Sequence, residues 1–154
     1  MAVKKQQAAR TASSTKNVEE STYLEMLRTC DQLTRRVSAV LKTEDLSPTQ
    51  YNILRVLRGA PEGLPCGEIA NRLITRDPDI TRLLDRMEKR GLISRCRVSQ
   101  DRRMVLTRIS EEGLEALGRL DDPVQEAHRS QLGHLGQQKL KLLSTLLRTA
   151  REQS

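Results

Sequence analysis

A chain of 154 residues and 17.5 kDa is the length of one folded unit, since domains average ~150 residues, and it is long enough to bury a core. Apolar residues make up 36% and aromatics 1%, with Tyr23 and Tyr51 but no Phe or Trp, so the core must come from Leu, Ile, Val, Ala and Met, which favours helices over a sandwich or barrel. The 27 basic against 20 acidic residues leave +7 and a pI near 9.8, while the lack of both a signal-peptide stretch and an apolar run of about eighteen residues disfavours secretion and a membrane span, with the cytoplasm as the expected location.

The charge is segregated. Residues 1–17 carry Lys4, Lys5, Arg10 and Lys16 with no acid, and with Ala, Ser, Thr and Gln around them and no hydrophobic period they read as a disordered basic tail. From Val18 to about Thr43, Leu24, Leu27, Cys30, Leu33, Val37, Val40 and Leu41 recur at steps of three and four, which predicts a first helix. Ser47-Pro48-Thr49-Gln50 places a capping serine, a proline at the first helical position and a glutamine able to bond back to the cap, with Leu46 available to pack on Tyr51. A second helix therefore starts at Pro48 and stops before Gly59.

Leu64-Pro65 has room for a short extended segment, after which Cys66 to Leu73 reads as a short third helix with Ile69, Ala70 and Leu73 inward. A turn at Ile74-Thr75-Arg76 follows. Asp77-Pro78 again pairs a cap residue with an N1 proline, and Ile80, Leu83, Leu84 and Met87 form one stripe until Gly91 stops the fourth helix. Its opposite face holds Arg82, Asp85, Arg86 and Lys89, and Thr75, Arg76, Asp79 and Thr81 lie at or near its leading end. Leu92 to Val98 and Met104 to Ile109 are β-rich runs on either side of Ser99-Gln100-Asp101-Arg102-Arg103, a hairpin with a charged tip. Ser110-Glu111-Glu112 opens a fifth helix, with Leu114, Leu117, Leu120 and Val124 on one stripe and a kink expected at Pro123. After a Gly/His break, Leu140, Leu143, Leu146 and Leu147 mark a last helix ending near Arg151.

The predicted fold class is mainly α with a small β hairpin: a winged helix-turn-helix plus a helical dimerisation region. Residues 64–110 hold eleven basic against six acidic residues, so the basic excess outside the tail falls on the two elements that such a fold presents to duplex DNA. A helix fits the ~12 Å major groove, where Arg reads guanine and Thr meets a thymine methyl, and the hairpin reaches the minor groove. Asp79 and Asp85 suit positioning arginines rather than phosphate. Arg95 and Arg97 alternate outward along a wing strand, where phosphate contact and plain solubility both remain open.

Leu46-Ser47-Pro48-Thr49-Gln50-Tyr51, Gly67-Glu68-Ile69-Ala70, the run from Ile80 to Ile93, and Asp101-Arg102-Arg103 followed by Leu106-Thr107 resemble the MarR family of bacterial transcriptional regulators over about residues 20–150. The resemblance implies a homodimer on a palindromic operator, with residues 18–45 and 111–154 as dimerisation regions and 46–110 as the DNA-binding domain. It also implies that Asp101 orients Arg103 into the minor groove. The DNA-binding set expected on these grounds is Thr75, Arg76, Asp79, Thr81, Arg82, Arg86, Arg95, Arg97, Asp101, Arg102 and Arg103. Many relatives are repressors released by small aromatic or phenolic acids bound between the dimerisation and DNA-binding regions, for which Tyr23, Arg28, Tyr51 and His128 are the polar candidates here.

Two other readings stay open. Cys30, Cys66 and Cys96 leave thiol sensing as an alternative signal, although the peroxide-sensing branch of the family has a tyrosine before the helix-two proline where this chain has Ser47. A winged domain acting only as a protein-interaction module is the other, and it has no need of a basic helix end. No His-Glu-x-x-His, glycine-rich phosphate loop or nucleophile signature is present, and the cysteines form no C-x-x-C pair or Cys/His run, so neither catalysis nor a metal or cofactor is expected.

Overall fold

A computed structural model describes residues 17–97 and 105–152. The chain divides into two compact units, residues 1–35 and 36–154. Within the first unit the described residues are helical from Val18 on and exposed but for a half-buried Leu33. They belong to helix α1 (Val18–Leu41), whose last residues lie in the second unit.

In the second unit α1 ends at Leu41 rather than Thr43 and passes into a 3-10 turn over Lys42–Glu44, closed by Asp45 in the left-handed region at φ 52°. Helix α2 (Pro48–Arg58) starts where the local chemistry predicts. The Ser47 hydroxyl accepts from the Gln50 N–H at 3.2 Å while the Gln50 side chain accepts from the Ser47 N–H at 2.9 Å, a complete capping box with proline at its head. Strand β1 (Leu64–Pro65), α3 (Cys66–Arg72), α4 (Ile80–Lys89), β2 (Ile93–Arg97) and β3 (Val105–Ile109) follow, then α5 (Glu111–Leu132), a 3-10 turn and α6 (Gly136–Glu152).

The expected hairpin is part of a three-stranded antiparallel sheet in the order β1-β3-β2, so the short segment at Leu64 becomes an outer strand and β2 the other edge. Leu64 and Arg95 both oppose Thr107, the single polar residue buried among those described. The core draws Ile53, Leu54 and Leu57 from α2, Ile69 from α3, Leu83, Leu84 and Met87 from α4, and Leu117, Leu120 and Val124 from α5. It contains no aromatic ring beyond the half-buried Tyr51 at its edge.

Two expectations need correction. Helix α4 begins at Ile80, not Pro78: the Asp77 carboxylate accepts from the Asp79 N–H at 2.9 Å, two residues on, so it closes a local turn instead of capping the helix. Leu114 is exposed. The inward face of α5 is centred on Gly113, Leu117, Leu120, Val124 and Ala127, because Gly113 lies against the Leu92 carbonyl and turns its neighbour outward. Helix α5 continues through Pro123.

Two arginines tie α5 to the rest of this unit. Arg58 makes a forked pair with Asp121 at 2.8 and 3.0 Å, and Arg119 a second fork with Glu44 at 2.8 and 2.9 Å. Hydrogen bonding from Arg58 holds the Asp121 carboxyl below its ordinary value of 3.8, and Arg119 does the same for Glu44 below 4.5. A carboxyl whose folded pKa is depressed adds stability that is present above its unfolded value and lost as the pH falls through the folded one. Asp121→Asn is therefore expected to lower stability at neutral pH, with the deficit shrinking as the pH falls below the ordinary aspartate value and vanishing only once it has passed the depressed folded one. Urea unfolding across that pH range checks it, and a deficit independent of pH would show that the pair contributes by packing alone.

Candidate nucleic-acid interface

Helix α4 has three longitudinal strips because successive residues turn by ~100°. Leu83, Leu84 and Met87 are buried in the core. Arg82, Arg86 and Lys89 lie on the exposed side, and Asp85 and Glu88, half-buried, form a flank between the two. The large amphipathic contrast explains why so short a helix is stable here: the apolar strip seats it, which leaves the outer strip free of any structural task.

Thr75, Arg76, Asp79, Thr81 and Arg82 are all exposed around the leading end of α4. Asp79 stands 3.7 Å from the Arg82 Nε, a loose pair with the arginine side chain 81% exposed. The Arg86 side chain, one turn later, has no hydrogen-bond or ion-pair partner among the described residues. The structure thus gathers these residues at one end and one side of α4. Arg97, at the end of β2, is exposed and likewise unpaired among the described residues. Asp101, Arg102 and Arg103 lie outside the described residues.

Arg95 departs from its expected role. It is half-buried, and its guanidinium is occupied: Nε donates to Glu88 Oε2 at 2.9 Å, and Nη2 donates to Glu88 Oε2 at 2.6 Å and to Asp85 Oδ1 at 2.5 Å. Hydrogen bonding to Glu88, then to Asp85, raises its already high pKa, so it stays charged but neutralised in place. The physical reason is that strand β2 runs beside the acidic flank of α4, and two carboxylates one turn apart meet the forked donors of one arginine. Asp85 accordingly serves Arg95 and neither Arg82 nor Arg86.

Sequence reasoning missed Glu88 and a second group at the tail of α4. Arg90, the residue that ends this helix, donates to the backbone carbonyls of Asp45 at 2.7 Å and Glu44 at 3.3 Å, and so fastens the helix to the turn that Arg119 grips from α5. The only forward signal was an arginine just ahead of the stop glycine.

Among the expected ligand residues, Tyr51 is half-buried with the Arg55 guanidinium 5.8 Å from its ring centroid. Arg28 is engaged locally by Glu25 at 2.8 Å, Tyr23 is exposed on α1 and His128 is exposed on α5. Cys30 and Cys96 are exposed free thiols and Cys66 a half-buried one. Among the described residues no cluster of three or more His, Cys, Asp or Glu could hold a metal ion, and no helix is long and apolar enough to cross a membrane.

A sequence model of the MarR family matches residues 44–104, the segment that contains α2 to α4 and the first two strands of the sheet. The HTH-type transcriptional regulator PecS of Dickeya dadantii is 30% identical over 115 residues, 73% of this chain and 69% of that protein. The crystal structure of a MarR transcription factor from Planctomyces limnophilus is 38% identical, with a TM-score of 0.67 over 84% of this chain and 95% of that one. The chain belongs to the MarR family.

Two further structures of similar fold differ in what they hold. The transcriptional repressor CouR, bound to a 23-mer DNA duplex, is 27% identical with a TM-score of 0.75, covering 88% of this chain and 96% of its own. NadR in complex with 4-hydroxyphenylacetate is 26% identical with a TM-score of 0.66, covering 82% and 89%. MarR-family membership makes this protein a transcriptional regulator of winged helix-turn-helix architecture.

Proposed function

We propose that this chain represses transcription as a homodimer on a palindromic operator and is released by a small aromatic or phenolic acid. The observation that carries the reading is the row formed by Arg82 and Arg86 on the exposed side of α4. Arg86 is unpaired among the described residues, Arg82 is held only loosely, and a winged sheet follows directly. That row belongs in the major groove, with Thr75, Arg76 and Thr81 beside it, Asp79 orienting Arg82, and Arg97 on the adjoining phosphates. Arg103 is assigned to the minor groove with Asp101 orienting it, and Arg102 to the same DNA-binding set. DNA bound to CouR supports the partner, and 4-hydroxyphenylacetate bound to NadR supports the ligand class.

Dimerisation is supported by apolar surface that each end of the chain leaves exposed. On α1 these residues include Leu24 and Leu27, the latter 50% exposed, and on α6 Leu142, Leu143, Leu146 and Leu147, with Leu146 at 58%. Helices with apolar faces open to water are usual where a second subunit covers them. Tyr51, already set at the edge of the core, and His128 remain proposed ligand contacts of the second unit, and Tyr23 and Arg28 remain candidates within the first.

Footprinting on the DNA flanking the protein's own gene tests the whole reading. Two symmetric protected half-sites, abolished on adding 4-hydroxyphenylacetate or a related phenolic acid, are expected, and sedimentation at micromolar concentration is expected to give a dimer. A compact monomer, or protection at no particular sequence, would overturn it.

A further inference from the structure

The acidic flank of α4 is out of place on an element that faces a polyanion. Asp85 and Glu88 sit next to the strip that carries Arg82 and Arg86, and each carboxylate there repels phosphate. Their partner is a single residue of the wing. Glu88 reaches Arg95 at three donors, because beyond the two guanidinium bonds its Oε1 accepts from the Arg95 backbone N–H at 3.1 Å. That N–H belongs to the outer edge of the sheet, since β2 pairs with β3 on one side only. A carboxylate from α4 thus takes the place of a missing neighbouring strand and closes the edge.

We propose that Arg95 is a positioning residue: with Glu88 and Asp85 it locks strand β2 of the wing onto α4, so that the two DNA-reading elements meet one half-site at a fixed offset. The inference rests on α4 being the major-groove reader and the hairpin the wing. Its force comes from geometry. A surface arginine meant for phosphate would extend on a flexible stem, whereas Arg95 is held through its backbone, its Nε and one terminal nitrogen, with its side chain 25% exposed. The arrangement joins the middle of β2 to the second half of α4, the part of the helix furthest from its leading end. It therefore fixes the angle between helix and wing without occupying the leading end of α4. An operator read in both grooves penalises error in that angle, since a wing displaced relative to the helix reaches only one groove at a time.

Glu88→Gln gives the two roles of Arg95 opposite signs. If Arg95 were a phosphate contact, removing a competing carboxylate would strengthen binding to operator and to scrambled duplex alike. Under the positioning role the operator affinity falls about tenfold while affinity for scrambled duplex is unchanged or slightly higher. Arg95→Lys keeps the charge but not the fork, and is expected to lose as much operator affinity as Arg95→Gln. Neither should change the slope of log affinity against log salt, whereas Arg97→Gln should reduce that slope by about one. Thermal melting identifies any variant that fails to fold. For such a case Asp85→Asn leaves the Glu88 fork in place and is expected to show the same sign at smaller size. Tighter operator binding by Glu88→Gln, or wild-type binding by Arg95→Lys beside a lowered salt slope in Arg95→Gln, would overturn the proposal. Arg82→Ala measured alongside separates the premises: retained discrimination there would remove α4 as the reader and the proposal with it, while lost discrimination with a tightened Glu88→Gln would remove the positioning role alone.

Discussion

Arg82→Ala is expected to lower operator affinity roughly 5- to 150-fold and to flatten the preference for operator over scrambled duplex, the ~1–3 kcal/mol of one bidentate base contact. The residue stands in the first turn of α4, with its side chain 81% exposed and only Asp79, at 3.7 Å, to steady it. Nothing in the folded state depends on it, so thermal stability should hardly change, and a loss confined to DNA binding is attributable to the interface. Deleting residues 1–17 is the contrasting case. Lys4, Lys5, Arg10 and Lys16 add four positive charges with no acid among them, so their removal should weaken operator and scrambled DNA together and reduce the salt slope by about one for each phosphate they no longer neutralise. Affinities for both duplexes across a salt series decide between them. A deletion that abolished preference while Arg82→Ala kept it would place the reader elsewhere.

What the sequence made legible is the part of the structure decided by neighbours along the chain. Ser47, Pro48 and Gln50 announce α2 because a capping box needs only a four-residue window, and Ser110, which accepts from the Gly113 N–H at 3.0 Å, announces α5 in the same way. The stripe of Leu83, Leu84 and Met87 located the buried side of α4, and with it the exposed side on which Arg82 and Arg86 stand. The same logic misplaced the start of that helix. Asp77-Pro78 has the residues of a helix head, but the Asp77 carboxylate satisfied a nearer N–H first.

Arg95 and Glu88 were illegible for a different reason. Seven positions apart, across a helix end and a turn, they meet only because β2 folds back along α4, and an arginine on a strand looks the same in sequence whether it faces phosphate or a carboxylate. The consequence for function is direct: Arg95 is held internally by two acids of its own block, Asp85 and Glu88, so its guanidinium is not free to meet phosphate.

Gly113→Ala is expected to destabilise the protein more than any surface change, by roughly 3 kcal/mol and a fall in Tm on the order of 10 °C. Gly113 lies in the first turn of α5, where an added Cβ would stand 2.3 Å from the Leu92 carbonyl oxygen, 2.8 Å from Ile109 Cγ1 and 3.3 Å from Leu54 Cδ2. The two side chains could shift; the carbonyl is less free, because it accepts the Ser110 N–H at 3.1 Å, while the Ser110 hydroxyl donates to the Gly91 carbonyl at 2.5 Å. Both bonds pin the segment that leads from α4 into β2 against the end of β3. An alanine must therefore push α5 away from the base of the sheet, which opens the core where Leu54 and Ile109 meet. Because that base carries the wing, operator affinity should fall along with stability, in contrast to Arg82→Ala, where the two separate. Gly118 is the control: it sits five residues further along α5 with nothing within 4 Å of an added Cβ, so Gly118→Ala should leave Tm unchanged or raise it. Equal melting of the two variants would show that α5 does not seat on the base of the wing through Gly113.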